Sequence, residues 1–319
     1  MSELRHILIQ ADDGVLLPAL WYAAGGTQVV VYVHGAGSSS IIRSPHMTDT
    51  FGRLCNQHGL DFIAFNNRGA GYMTKFDTVQ GQSYMGGMAY EVIRDFVYDL
   101  SGVIKWAAQS GYESAVLVGH STGANQIVYG LSSCRAYALP VAGAVLLSGG
   151  DDVALQRSRY TADTLEQIIK ISQEKQRSSP RRLVPPEYFP GDHPISWRSL
   201  YELLNEDGDY DMFPFKRAPC TKGQVIMPFR QLKSIQQPVL LAYGSEDFGT
   251  IIPVRQALGW VSRYVPGLDT YELMGADHNF TSFEKHIVQY IVAWIMKRYG
   301  DYPSAAASER RGSNRHNHL

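Results

Sequence analysis

The run Gln28–His34, QVVVYVH, constrains the fold more than any other stretch of the chain. It is apolar and β-branched at successive positions, so a strand built from it is buried on both faces. It stops at His34-Gly35-Ala36-Gly37. Strands of this kind belong to mostly parallel sheets covered on each side by helices. Similar runs recur at Phe62–Phe65, Ala115–Val118, Ala142–Leu147 and Pro238–Tyr243, with a last candidate strand at Thr270–Met274. Between them lie segments with a 3.6-residue apolar period. Tyr90–Ala108 carries Val92, Ile93, Phe96, Val97, Leu100, Val103 and Ile104; Phe283–Lys297 carries Ile287, Tyr290, Ile291 and Ile295. This alternation predicts an α/β fold with a mostly parallel central sheet and helices on both faces. Near the start, Ile7–Gln10 and Val15–Trp21 flank Asp13-Gly14, the signature of a hairpin.

One interval breaks the alternation. Residues 151–236 contain no strong strand but do contain helical stretches at Thr161–Lys175 and Ile195–Leu204, and five prolines from Pro180 to Pro194. The reading is a core formed by residues 1–150 and 237–300, a helical cap or lid inserted at 151–236, and a polar, disordered tail at 301–319. A chain of 319 residues is long enough for one large core. Its net charge of −1 gives no reason to expect a nucleic-acid or membrane partner. No apolar run has the length of a membrane span, and the N-terminus does not read as a secretory signal. Cys55, Cys134 and Cys220 are scattered and odd in number, so they read as free thiols in a reducing compartment, with the cytoplasm as the expected location. No metal-ligand spacing occurs, and no cofactor is expected.

The candidate chemistry sits where strands end. Ala115–Val118 runs into Gly119-His120-Ser121-Thr122-Gly123, followed by a helical pattern. This strand, G-x-S-x-G, helix arrangement makes a sharp turn that presents Ser121 above the sheet as a nucleophile. A serine needs a base, and the base needs an orienting carboxylate. His278, in Gly275-Ala276-Asp277-His278-Asn279, follows the last strand and precedes the C-terminal helix; it is the candidate base. Asp247 follows the strand ending at Tyr243 and is the candidate acid, with Asp151 and Asp152, after the strand ending at Leu147, as alternatives. His120 reads as a packing or hydrogen-bonding residue, while Glu246 and Asp277 face solvent or brace their loops. Acyl transfer also needs two N–H donors for the oxyanion. Thr122, the residue after the nucleophile, supplies one. Ala36, in the loop after Gln28–His34, supplies the other, with Gly37 in reserve.

The elbow Gly119–Gly123, the segment Asn67-Arg68-Gly69-Ala70-Gly71-Tyr72 and Gly275–Asn279 resemble the α/β-hydrolase superfamily. More narrowly, they are similar to the siderophore-esterase-like group, which shares a Gly-His-Ser-Thr-Gly elbow and a late Asp-His-Asn. His34-Gly35-Ala36-Gly37 departs from that group's oxyanion stretch. The resemblance implies the α/β-hydrolase fold, the order Ser, acid, His along the chain, and hydrolysis of an ester without a cofactor. The expected activity is therefore cleavage of a small-molecule carboxylic ester through an acyl-enzyme. Thioesterase, lactonase or C–C hydrolase chemistry with the same three residues is one alternative. A non-catalytic scaffold binding a small ligand is another. A serine at the elbow excludes the aspartate-nucleophile dehalogenases and epoxide hydrolases of this fold. In the cap, Trp197 and Tyr201 are candidate substrate-lining residues. Tyr160, Tyr210, Phe213 and Phe215 read mainly as the cap's own core, and Lys170, Lys175, Arg177, Arg181 and Arg182 as a solvated basic face.

Overall fold

The computed structural model describes residues 3–299 apart from 44, 134, 207 and 218–227. The chain begins with β1 (Glu3–Gln10), β2 (Leu16–Ala23), β3 (Gln28–Val33), α1 (Pro45–Gln57) and β4 (Asp61–Phe65). A small hairpin of β5 (Thr74–Asp77) and β6 (Ser83–Gly86) follows, then α2 (Phe96–Gln109), β7 (Ser114–His120), α3 (Thr122–Ser132) and β8 (Val141–Leu147). The inserted segment holds α4 (Asp152–Arg157), α5 (Ala162–Ser178), α6 (Trp197–Leu204) and α7 (Arg230–Ser234). The chain then returns to the sheet with β9 (Val239–Gly244), α8 (Val254–Tyr264), β10 (Asp269–Leu273) and α9 (Glu284–Tyr299).

Eight strands form one sheet in the order β1-β2-β4-β3-β7-β8-β9-β10. The N-terminal hairpin is antiparallel, and β2 meets β4 antiparallel. Every pairing from β4 across to β10 is parallel. The period of two along β3 explains the double-sided apolar run. Val29, Val31 and Val33 belong to the core cluster that also holds Leu100 of α2, Ile127 of α3 and Val261 of α8. Val30 and Tyr32 face the other way, into the cluster of Phe51 of α1 and Ile291 of α9, with Tyr32 against Phe51.

The register aligns the carboxyl ends of the parallel strands. Val33 lies opposite Gly119, His120 opposite Leu147, Leu147 opposite Ala242, and Gly244 opposite Leu273. The loops opened by His34, Ser121, Ser148, Ser245 and Met274 therefore leave the sheet along one rim, where α/β sheets bind their ligands.

The helix expected over Tyr90–Ala108 begins only at Phe96; two 3₁₀ turns, Met88–Tyr90 and Ile93–Asp95, precede it. Val92 is extended between them, because Glu91 is turned inward to bond Gln126. The sequence reading also missed the β5–β6 hairpin, α1 and α8.

The inserted segment has a cluster of its own, formed by Ile168, Val184, Phe189, Ile195, Trp197, Leu200 and Leu204. Phe213 and Phe215 do not belong to it: they pack in the main core with Tyr243 and Phe229. Cys55 is buried as a free thiol, and burial pushes its pKa up. Cys134, Cys220 and the 301–319 tail lie outside the described residues. Among the described residues no helix is long and apolar enough to cross a membrane.

Candidate active site

Ser121 occupies the turn between β7 and α3 with φ 57° and ψ −131°, a conformation that L-residues rarely adopt. The turn is possible because glycines flank it. A Cβ on Gly119 would come within 2.4 Å of the Gly123 carbonyl oxygen, and one on Gly123 within 2.3 Å of the Val33 carbonyl oxygen. The serine is thus held up where α3 passes close over β3 and β7.

The structure brings Ser121, His278 and Asp247 together from three separate strand ends. His278 Nε2 lies 2.9 Å from Ser121 Oγ, and His278 Nδ1 lies 2.7 Å from Asp247 Oδ1. A carboxylate can only accept, so Nδ1 carries the proton and Nε2 is left to accept from the serine hydroxyl. Asp247 is buried. Burial alone would raise its pKa, but the hydrogen bond and charge of His278 outweigh that and hold it below the usual carboxylate value. The Gly249 N–H, 2.7 Å from Oδ1, also favours the ionised form.

A family model described as alpha/beta hydrolase family matches residues 30–288. The chain belongs to the alpha/beta hydrolase family. Solved structures agree at the level of the fold. An esterase from Pyrococcus furiosus is 18% identical, with a TM-score of 0.57 over 93% of this chain and 92% of that one. Est1E from Butyrivibrio proteoclasticus with ferulic acid bound is 12% identical (TM-score 0.59; 92% and 99% covered). The alpha/beta hydrolase GrgF from Penicillium is 13% identical (TM-score 0.64; 93% and 99% covered). Comparison with curated protein sequences gives no match.

In this hydrolase the remaining carboxylates have other partners. Asp151 caps α4: Oδ1 accepts from the Ala154 N–H at 3.0 Å and Oδ2 from the Lys216 N–H at 3.0 Å. Asp152 Oδ2 accepts from Asn125 Nδ2 at 3.0 Å and from the Thr122 hydroxyl at 3.3 Å. Burial, then the charge of Asp151, push its pKa up to about 7. Asp277 braces its own loop, accepting from the Asn279 and Thr281 N–H groups. Glu246 is exposed and accepts from the Ser245 hydroxyl.

Backbone donors are available beside Ser121. Thr122 is the first residue of α3, so its N–H has no intrahelical acceptor. Among the described residues neither the Thr122 N–H nor the Ala36 N–H donates a hydrogen bond. The loop carrying Ala36 is fixed by His34. The His34 Nε2 accepts from the Asn67 N–H at 3.1 Å, and its Nδ1 donates to the Gly35 carbonyl at 2.8 Å. Burial lowers the His34 pKa to about 4, so the ring stays neutral and can play both parts.

His120 links the serine turn to the histidine loop. Its Nε2 donates to the His278 carbonyl at 2.8 Å, and burial followed by the nearby His278 charge lowers its pKa to about 4. Its side chain therefore packs and hydrogen-bonds rather than titrating.

The sequence reading missed Glu91, Asn67 and Gln126. Asn67 Nδ2 donates to Gln126 Oε1 at 3.0 Å, and Gln126 donates to Glu91, whose pKa burial and then Asp152 push up to about 8. The polar pair Asn125-Gln126 on the buried side of α3 was the available signal. The cap candidates fare differently. Trp197 is 3% exposed within the insertion's own cluster, its ring tilted by 52° against that of Tyr188. Tyr201 is half-buried on α6. Tyr210 packs with Ile93 and Val153, at the junction of the insertion and the core. Within the basic stretch, Arg181 stacks over Tyr90 at 4.5 Å, and Lys170 pairs with Glu166.

Proposed function

We propose that this hydrolase cleaves a carboxylic ester of a small molecule by two-step acyl transfer. Ser121 is the nucleophile, His278 the base and Asp247 the orienting acid. The observation that carries the reading is the unbroken chain from Ser121 Oγ to His278 Nε2 and from His278 Nδ1 to Asp247. As Ser121 Oγ bonds to the carbonyl carbon, its proton passes to His278 Nε2, and the carbonyl oxygen becomes an oxyanion facing the Ala36 and Thr122 N–H groups. Collapse expels the alcohol, which takes the proton from His278. Water then repeats the sequence, losing its proton to His278 and releasing the carboxylic acid and free Ser121. Asp247 stays ionised throughout and stabilises the imidazolium.

The test is labelling by a fluorophosphonate probe together with hydrolysis of a panel of carboxylic esters. The expected result is labelling and turnover in the native protein and neither in Ser121→Ala. Undiminished labelling of Ser121→Ala, or no labelling of folded native protein, sinks the proposal. Preferential turnover of thioesters, lactones or diketones in the same panel would keep the mechanism and change the bond.

A further inference from the structure

Phe248 is one of the most exposed large apolar side chains of the protein, 64% accessible, yet it lies directly on the proposed base. Its ring centroid is 4.5 Å from that of His278, with the planes 35° apart. The loop that carries it is held at several points. The Asp247 N–H donates to the Gly244 carbonyl, and the Ile251 N–H to the Phe248 carbonyl. The Gly249 carbonyl accepts from the Asp151 N–H at 2.9 Å, and the Gly249 N–H returns to Asp247. Ile251 adopts φ 62°, a strained conformation for a β-branched residue that persists only where its surroundings enforce it. The aromatic ring is therefore presented to solvent at a fixed place instead of being folded into the core.

We infer that Phe248 is the surface on which the leaving alcohol of the substrate packs, and that this alcohol is apolar. The inference rests on the ester reading above. The departing oxygen must come within hydrogen-bond reach of His278 Nε2 to collect its proton. The first carbons of the alcohol then lie beside the imidazole. Among the described residues two rings stand against that imidazole: His120, whose own ring is engaged with the His278 carbonyl, and Phe248, which is open. An apolar alcohol covering Phe248 removes the exposed aromatic surface from water, which no part of the core does. A competing role is shelter of the imidazolium by the ring face. That role acts on the base and is indifferent to which alcohol leaves.

The experiment compares ethyl and benzyl butyrate, which share an acyl group, and then benzyl butyrate and benzyl octanoate, which share an alcohol. The expected result is that Phe248→Ala lowers the benzyl-to-ethyl ratio of kcat/KM by about fivefold to tenfold. The octanoate-to-butyrate ratio should stay unchanged, and Phe248→Leu should fall between. Fluorophosphonate labelling of Ser121 in each variant reports an intact fold. An unchanged benzyl-to-ethyl ratio with both rates reduced would overturn the inference in favour of shelter. A change confined to the acyl ratio would overturn it in favour of the acyl side. If neither butyrate is turned over in a Ser121-dependent way, the ester reading itself falls and this inference with it.

Discussion

The strand-end loops and the inserted segment are held in place on different terms. The loops that carry Ala36, Ser121 and Asp247 spring from strands buried on both faces, the loop of His278 from the edge strand β10, and the parallel register fixes where each starts. Of the six described non-glycine residues with positive φ, Ser121, Ile251, Phe280 and Ser282 lie in these loops, and Ser148 opens the loop after β8 on the same rim. Such strain survives only on a rigid base. The part of the insertion between Tyr160 and Leu204, by contrast, packs on itself through the cluster around Trp197 and Leu200, while Met212, Phe213, Phe215, Phe229 and Leu232 join the main core. It is tied down at separate points. The Ala89 carbonyl accepts from the Ser196 N–H at 2.7 Å and from the Ser199 hydroxyl at 3.2 Å, and Arg94 pairs with Glu202 at 2.6 Å. The difference teaches that the chemical groups draw their precision from the sheet, whereas the cluster around Trp197 and Leu200 is packed separately from the core that covers the sheet.

The largest effect that would break this contrast falls on the rim. Asp247→Asn should lower kcat by about ten-thousandfold while leaving the thermal midpoint almost unchanged, because it alters the tautomer of His278 and little else. A loss no larger than that of Asp152→Asn would move the acid to the first residue of α4. Trp197→Ala removes a fully packed indole and should cost about 3–5 kcal/mol locally. Hydrogen exchange should show the insertion losing protection while β3 and β7 keep theirs; equal loss in both would mean that cap and sheet unfold as one unit.

Gly123→Ala forces a Cβ against the Val33 and His34 carbonyls. Its expected cost is about 1–3 kcal/mol, with fluorophosphonate labelling reduced out of proportion as Ser121 shifts. A midpoint equal to that of the native protein would show the approach of α3 to β3 to be looser than described.

The smallest effect lies at the contact between the two regions. The Asp152 pKa is raised from 3.8 to about 7, so the folded state binds its proton more tightly than the unfolded chain. This contribution to stability is present at low pH and is lost as the pH rises through that window. Asp152→Asn keeps an acceptor for Thr122 and Asn125 but cannot ionise. Its thermal midpoint relative to the native protein should therefore increase by a few degrees between about pH 5 and about pH 8. A pH-independent difference would rule out ionisation of Asp152 in that range.

The strands were legible in sequence because burial on both faces leaves an unbroken apolar run, as in β3, β7 and β9. The turn at Ser121 was legible because its two flanking glycines meet backbone that no side chain could clear. Less was legible where the signal is tertiary. Nothing local distinguishes Asp247 from Asp151 or Asp152, since all three follow strands. Only the placement of His278 separates them: Asp247 meets its Nδ1, Asp151 turns to cap α4, and Asp152 turns to Thr122 and Asn125. For Trp197 the sequence left pocket lining and core open, because an aromatic residue on an amphipathic helix suits either, and the structure places it in the insertion's own cluster. Sequence by itself determined the alternating architecture and the identity of Ser121 and His278 as candidates, because periodicity and turn sterics act over a few residues. Tertiary structure alone decided which acid faces the histidine and which aromatic residue lies on it, because those contacts join residues thirty or more positions apart.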